Sequence, residues 1–218
     1  MRIEFMRNFE RYIKGRFNRL KLNKDDFSII ANNCWGTFIY KNHALPYKSP
    51  FVNLMLFAPD YMELMRDFSP ELLQKLTFLK HEDSKYKDEM KRLGIYGDGD
   101  IIYPLGILDN RIELHFLHYP SEEDAKEKWL RRCERINYER LIFKFSDGDL
   151  FEDSMAEEFD ELPYKNKVMF TAKKYDGISC GIQLPEFEEE GRVHDEWKNA
   201  KSYFNVQKFI NNIEQCDV

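Results

Sequence analysis

The chain has 218 residues, 43% of them hydrophobic and 33% charged, with a formal net charge of −6. That length and balance fit one soluble globular domain with a sizeable core, and the acidic excess excludes a nonspecific nucleic-acid binder, which needs a basic surface to displace counterions. No stretch approaches the ~20 apolar residues of a membrane span, and four cysteines (Cys34, Cys133, Cys180, Cys216) without C-x-x-C spacing read as reduced cytoplasmic thiols.

Residues 2–20 place Ile3, Met6, Phe9, Ile13 and Phe17 roughly one turn apart, an amphipathic helix pattern without the apolar core of a signal peptide. Arg2, Arg7, Arg11, Lys14, Arg16 and Arg19 decorate it. Either it packs on the body with its charges solvated, or it associates weakly with an anionic membrane surface.

Phe27–Ala31 reads as a short buried strand running into Asn32-Asn33-Cys34-Trp35-Gly36, with a helix from Thr37 through Asn42. Asparagine tolerates left-handed backbone, Gly36 permits close approach, and the helix has no acid in its first turn, so its N–H groups could hold a phosphate. The helices after Pro120 and Asp149 open with Glu122-Glu123-Asp124 and with Glu152-Asp153, which repel an anion. Asn32, Asn33, Trp35, Gly36 and Thr37 are therefore the expected substrate-binding turn, although such a turn can also be purely structural. Cys34 as a nucleophile lacks a visible partner.

Phe51–Phe57 is a buried strand or helix that periodicity does not distinguish. Pro59-Asp60-Tyr61 opens a helix, Ser69-Pro70-Glu71 caps another, and Leu76–Leu79 is a strand. His81–Lys91 is a solvated helix or excursion, and Ile95–Tyr103 a hairpin turning at Asp98-Gly99. A second turn at Asp109-Asn110 suggests an antiparallel pair joined to an otherwise parallel sheet.

Arg111 to Asp149 is the expected organising unit: strand Ile112–His118, a helix capped by Ser121, and strand Leu141–Phe145. This spacing predicts a βαβ unit over 111–149 with a right-handed crossover, aiming His118-Tyr119 and Asp147-Gly148-Asp149 at one sheet edge. An acidic helix over 150–162, a strand at Lys167–Ala172, an exposed strand at Ser179–Leu184 and one or two helices within 195–213 complete the chain. The expected fold is α/β: a mixed, mostly parallel sheet with flanking helices in three Rossmann-like layers. It forms a single domain, 1–218, with 1–22 a peripheral helix and 185–218 a helical cap.

Among reactive groups, His118 lies nearest the strand's carboxyl end and is a candidate general base, whereas His115 reads as structural. Asp147 and Asp149 resemble the spaced acidic pair with which nucleotide-sugar enzymes hold Mg or Mn, yet Asp98-Gly99-Asp100 repeats the tripeptide in an ordinary turn, which favours a metal-free site. Lys128, Arg132 and Arg135 share a helical stripe that could clamp phosphates, or form a solvated ion-paired face. No nucleotide-loop, zinc or hydrolase motif is present.

Asn32-Asn33-Cys34-Trp35-Gly36, Ser49-Pro50-Phe51, Asp60-Tyr61, Tyr103-Pro104-Leu105-Gly106, His115-Phe116-Leu117-His118-Tyr119, Lys128-Trp129 and Arg135-Ile136-Asn137 resemble a bacterial domain family of unassigned function. That family is associated with capsule and exopolysaccharide biosynthesis, and some members are treated as candidate glycosyltransferases. The resemblance covers about 27–171; Thr37 stands where a second glycine often follows Gly36. It implies a sugar-polymer context and supplies no catalytic residues. On that basis the leading expectation is a transferase using a nucleotide sugar and a saccharide acceptor at the cytoplasmic membrane face. His118 or Asp147 would be the base, Asn32–Thr37 and Trp35 would hold the donor, and Arg132 and Arg135 would balance the leaving diphosphate. The alternative is a non-catalytic saccharide-binding or assembly protein in which Trp35, Trp129 and Tyr119 stack on sugars.

Overall fold

The structure, a computed structural model, describes residues 2–96 and 103–216, with side chains from Glu10 onward. Helix α1 (Arg2–Arg19) precedes β1 (Ser28–Ala31) and α2 (Trp35–Asn42); after a loop come α3 (Ala58–Arg66), α4 (Pro70–Leu73) and β2 (Leu76–Leu79). Then follow α5 (Lys87–Arg92), β3 (Leu105–Leu108), β4 (Ile112–His115), α6 (Glu122–Cys133) and β5 (Leu141–Ser146). The chain continues through α7 (Ser154–Glu161), β6 (Lys167–Thr171), β7 (Gly181–Gln183), α8 (Glu196–Asn199) and α9 (Val206–Asn211).

β1, β5, β6 and β7 form a parallel sheet, with β5 between β1 and β6. Its inner strands are apolar on both faces because helices cover both. Ile30, Phe143, Phe145 and Met169 point into one core with Tyr61, Trp129 and Phe159 from α3, α6 and α7. Ile29, Ala31, Ile142, Val168 and Phe170 point into the other, with Trp35 and Ile39 of α2 and Ile210 of α9. The protein thus has the expected mixed α/β architecture, with a parallel sheet between helical layers.

β2, β3 and β4 form a separate antiparallel sheet. The Asp109-Asn110 turn joins β3 to β4 with both residues left-handed, at φ 51° and 56°, a conformation Asp and Asn tolerate. β4 is then bonded on its other edge as well: Met55 and His115 exchange N–H···O bonds of 3.0 and 2.9 Å. With both edges of β4 occupied, β5 cannot join it and pairs with β1 and β6 instead. The expected βαβ unit over 111–149 is therefore absent, and its right-handed crossover with it. The βαβ unit of this fold is β5-α7-β6. Residues 51–57 are neither strand nor helix but a loop carrying that bridge, and the hairpin turn expected at Asp98-Gly99 falls outside the described residues.

His115 shows what the antiparallel sheet buries. Its ring is fully enclosed, with Nδ1 3.0 Å from the Tyr103 hydroxyl and the ring of Phe57 edge-on at 4.9 Å. Burial, helped by His81, pushes its pKa from 6.5 down to about 3. The folded imidazole therefore stays neutral while the unfolded chain takes up a proton below pH 6.5, and stability falls as pH drops from 6.5 towards 3, by ~1.4 kcal/mol per pH unit. Urea unfolding at pH 7 and pH 5 should show a loss of ~2 kcal/mol from this residue alone. His115→Gln should be less stable at pH 7 and lack that part of the acid-side slope.

A candidate active-site cleft

β1 and β5 run side by side, with Ala31 opposite Lys144, so their carboxyl ends deliver Asn32-Asn33-Cys34 and Ser146-Asp147-Gly148-Asp149 to the same edge. The loop before α3 crosses over both: Leu56 N–H donates to the Asn32 carbonyl at 2.9 Å and Ala58 N–H to that of Asp149 at 3.2 Å. Arg192 to Trp197 closes the remaining side, leaving a cleft of about 290 Å³. It lies beyond the carboxyl ends of parallel strands, where ligands of open α/β sheets sit.

Beneath its lining lies a buried charge pair. Lys144, in the central strand, points to the α2 face and is fully buried, and its ammonium is ion-paired with the equally buried Glu196 Oε1. The ammonium also donates to Asn33 Oδ1 and Ser146 Oγ, both at 3.0 Å, while Asn33 Nδ2 donates to Glu196 Oε1 at 2.7 Å. Asn32 Nδ2 donates to the Ser146 carbonyl at 3.2 Å. Burial pulls the lysine pKa down and Glu196 holds it up. Two buried polar atoms on residues lining this wall have no partner among the described residues: Glu196 Oε2 and Trp197 Nε1. Trp197 itself stacks on Phe38, 4.3 Å between centroids.

The rim carries two carboxylates, Asp149 and Glu89, and two guanidiniums. Asp149 Oδ1 pairs with Arg192 and, at 3.4 Å, with Arg92 of α5, whose guanidinium is held by both oxygens of Glu89 at 2.9 and 2.5 Å. Asp147 points away from this exchange. Its Oδ2 accepts the Ala172 N–H at 2.6 Å and its Oδ1 the Val193 N–H at 2.7 Å, so both oxygens tie β5 to the segments beside it. Burial outweighs those bonds and pushes its pKa up to about 6. A divalent ion does not fit the Asp147 and Asp149 donor set: one carboxylate is spent on backbone N–H groups, and the other faces two cationic side chains. Among the described residues no group of three or more His, Cys, Asp or Glu could hold a metal ion.

Of the residues singled out by sequence, Asn32, Asn33, Asp147 and Asp149 come together at this edge. The rest of the expected phosphate turn is packed shut. Trp35 is buried against Phe170, a Cβ on Gly36 would meet Ile29 Cγ2 at 3.1 Å, and Thr37 Oγ1 accepts the Asn53 N–H at 2.8 Å. His118 is exposed and absent from the lining, which takes its neighbour Leu117. Tyr119 donates to the Val52 carbonyl at 2.7 Å and accepts from Arg132, whose guanidinium lies 5.1 Å from the Tyr47 ring. That cluster fixes α6 to the loop before α3; Arg135 lies exposed beyond the end of α6. Cys34 lines the cleft, but burial pushes its thiol up to about 11. Lys144, Arg192, Glu196 and Trp197 were not singled out. The available signal was a lysine in the middle of a strand apolar on both sides.

Asp147 should therefore behave as a tether. In Asp147→Asn an amide NH₂ must face one of the two N–H groups that the carboxylate now accepts, which should cost ~1–3 kcal/mol. Thermal unfolding at pH 7.5 checks this; an unchanged melting temperature would contradict the tether.

Comparison with known proteins gives this arrangement a family but no activity. An uncharacterized protein of Haemophilus influenzae is 32% identical over 205 residues, covering 92% of this chain and 90% of that relative. The model of a domain of unknown function, DUF1919, matches residues 5–217. Spanning nearly the whole chain, that match makes this protein a member of the DUF1919 family.

Proposed function

We propose that the cleft binds a nucleotide-activated sugar and transfers the sugar to a hydroxyl acceptor on the cytoplasmic side, in exopolysaccharide or capsule assembly. The observation that carries this reading is the rim: Asp149 held by Arg192, with Arg92 and its partner Glu89 alongside, near a buried carboxylate oxygen of Glu196 that has no partner among the described residues. A diphosphate offers Arg192, and Arg92 beside its partner Glu89, more charge and bidentate geometry than the Asp149 carboxylate does. Its arrival takes Arg192 and Arg92 away from Asp149 and leaves that carboxylate free at the mouth. Glu196 Oε2 then accepts a sugar hydroxyl, and the Trp197 indole N–H can donate to another.

The step that follows is a displacement at the anomeric carbon. The acceptor hydroxyl gives its proton to Asp149, its oxygen bonds to the carbon, and the carbon–oxygen bond to the diphosphate breaks. The leaving diphosphate keeps that electron pair, and its growing charge is met by Arg192 and Arg92. Asp149 replaces His118 and Asp147 as the base, because His118 is outside the lining and both oxygens of Asp147 are already accepting. No step runs through a metal.

Calorimetric titration with a nucleoside diphosphate, nucleotide sugars and free glycans tests the reading. Arg192→Gln should weaken nucleotide binding by ~10- to 100-fold, the value of a charge-assisted hydrogen bond. Asp149→Asn should bind the donor as tightly as the parent or tighter, since the competitor for the guanidiniums is gone, while turnover falls ~10²- to 10⁴-fold. Chelator or manganese should change neither result. Binding of free glycans alone would replace this proposal with a non-catalytic saccharide-binding or assembly role.

A further inference from the structure

α1 packs on the body by its polar side. A Cβ on Gly15 would lie 3.0 Å from Ala44 N and 3.2 Å from the Lys41 carbonyl, so the helix backbone rests directly on the end of α2. Asn18 Nδ2 donates to the Asn42 carbonyl at 2.9 Å from the same side. The opposite side should then be charged. Instead Ile13, Phe17 and Leu20, at i, i+4 and i+7, form one stripe that points outward, 40%, 63% and 82% exposed, with Tyr12 54% exposed beside it. They are four of the six large hydrophobic residues exposed among the described residues. An ordinary surface helix turns its apolar stripe inward; this one is reversed.

The stripe has a basic border. Lys14, Arg16 and Lys21 are exposed and make no ion pair among the described residues; Arg19 pairs with Asp25 at 2.6 Å. Glu10 is the one acid of the helix from Glu10 onward, where the side chains are described, and it is exposed. This cationic border stands out in a chain whose formal net charge is −6. An outward apolar stripe edged by Lys and Arg is the build of a helix that lies in the interface of an anionic bilayer, apolar side chains in the acyl boundary and cations at the headgroups. A second copy fits less well, since symmetric docking through this stripe would press each basic border against its own equivalent.

We infer that α1 seats this protein on an anionic lipid surface through Ile13, Phe17 and Leu20, with Lys14, Arg16 and Lys21 at the headgroups. No helix among the described residues is long and apolar enough to cross a membrane, so the contact is peripheral. It stands apart from the transferase proposal and survives if that fails.

The test is co-sedimentation of the full chain with extruded vesicles of phosphatidylcholine alone, and of phosphatidylcholine mixed with phosphatidylglycerol. Binding to the mixed vesicles only, weakened by salt, is expected. Phe17→Ser with Leu20→Ser should abolish it. Lys14→Gln, Arg16→Gln and Lys21→Gln together should lower it on the order of a hundred-fold. All five side chains are exposed, so melting curves should match the parent and separate lost binding from lost fold. Failure to sediment with either vesicle, or undiminished binding by the Phe17→Ser, Leu20→Ser variant, overturns the inference. A concentration-dependent dimer in light scattering, broken by that variant and unaccompanied by vesicle binding, overturns it in favour of a second copy.

Discussion

The Lys144 to Glu196 ion pair is the interaction on which the candidate cleft depends. Both side chains are fully buried, and the ammonium is wrapped by Asn33 and Ser146 besides the carboxylate. Removing one member of such a pair leaves an uncompensated charge in a low-dielectric interior, typically ~3–5 kcal/mol. A domain of ordinary stability has only ~5–15 kcal/mol in total. The pair therefore fixes where the segment before α8 lies, and that position brings Arg192 and Trp197 to the open ends of β1 and β5.

An apolar pair of similar volume would hold two segments together at least as well, because it spares the desolvation of two charges. What it would not supply is a buried carboxylate oxygen on a residue that lines the cleft. Glu196 uses one oxygen for structure, and its other has no partner among the described residues, a costly state for a buried polar atom. The same division of labour separates the two neighbouring aspartates. Asp147 spends both oxygens on backbone N–H groups and fixes the frame, while Asp149 meets side chains that another anion could claim.

Local features were legible in the sequence. Ser121 and Ser69 cap their helices as read, each accepting the N–H three residues on at 3.2 Å. The strands of the parallel sheet and the Asp109-Asn110 turn were also legible. The pairing of β4 was not, because nothing in Ile112–His115 says whether its neighbour is Leu105 or Leu141; the two-residue turn decides it by making the local partner available first. Lys144 was read only as one residue of the strand Leu141–Phe145, with no role of its own. Only the position of β5 between two parallel neighbours makes both of its faces interior, and that is a property of the sheet. Glu196 and Trp197 sat in a stretch read simply as a helical cap. His118 was placed at the edge by extending the strand three residues too far, past the point where the chain turns from the sheet.

The residues that meet in the cleft are far apart along the chain, and this sets an order of events during synthesis. Lys144 and Glu196 are separated by 52 positions, so at the ~5–20 residues per second of a ribosome the lysine emerges several seconds before its counter-ion. Until then β5 carries a cation with no acceptor of matching charge, and the segment that supplies Arg192 and Trp197 has nothing to dock against. The Arg192 to Trp197 side of the cleft takes its place only once Glu196 has reached Lys144. A chain that stalls in between would expose an unfinished, charged sheet face to proteases and chaperones, whereas a completed one locks its frame and forms its cleft in the same movement.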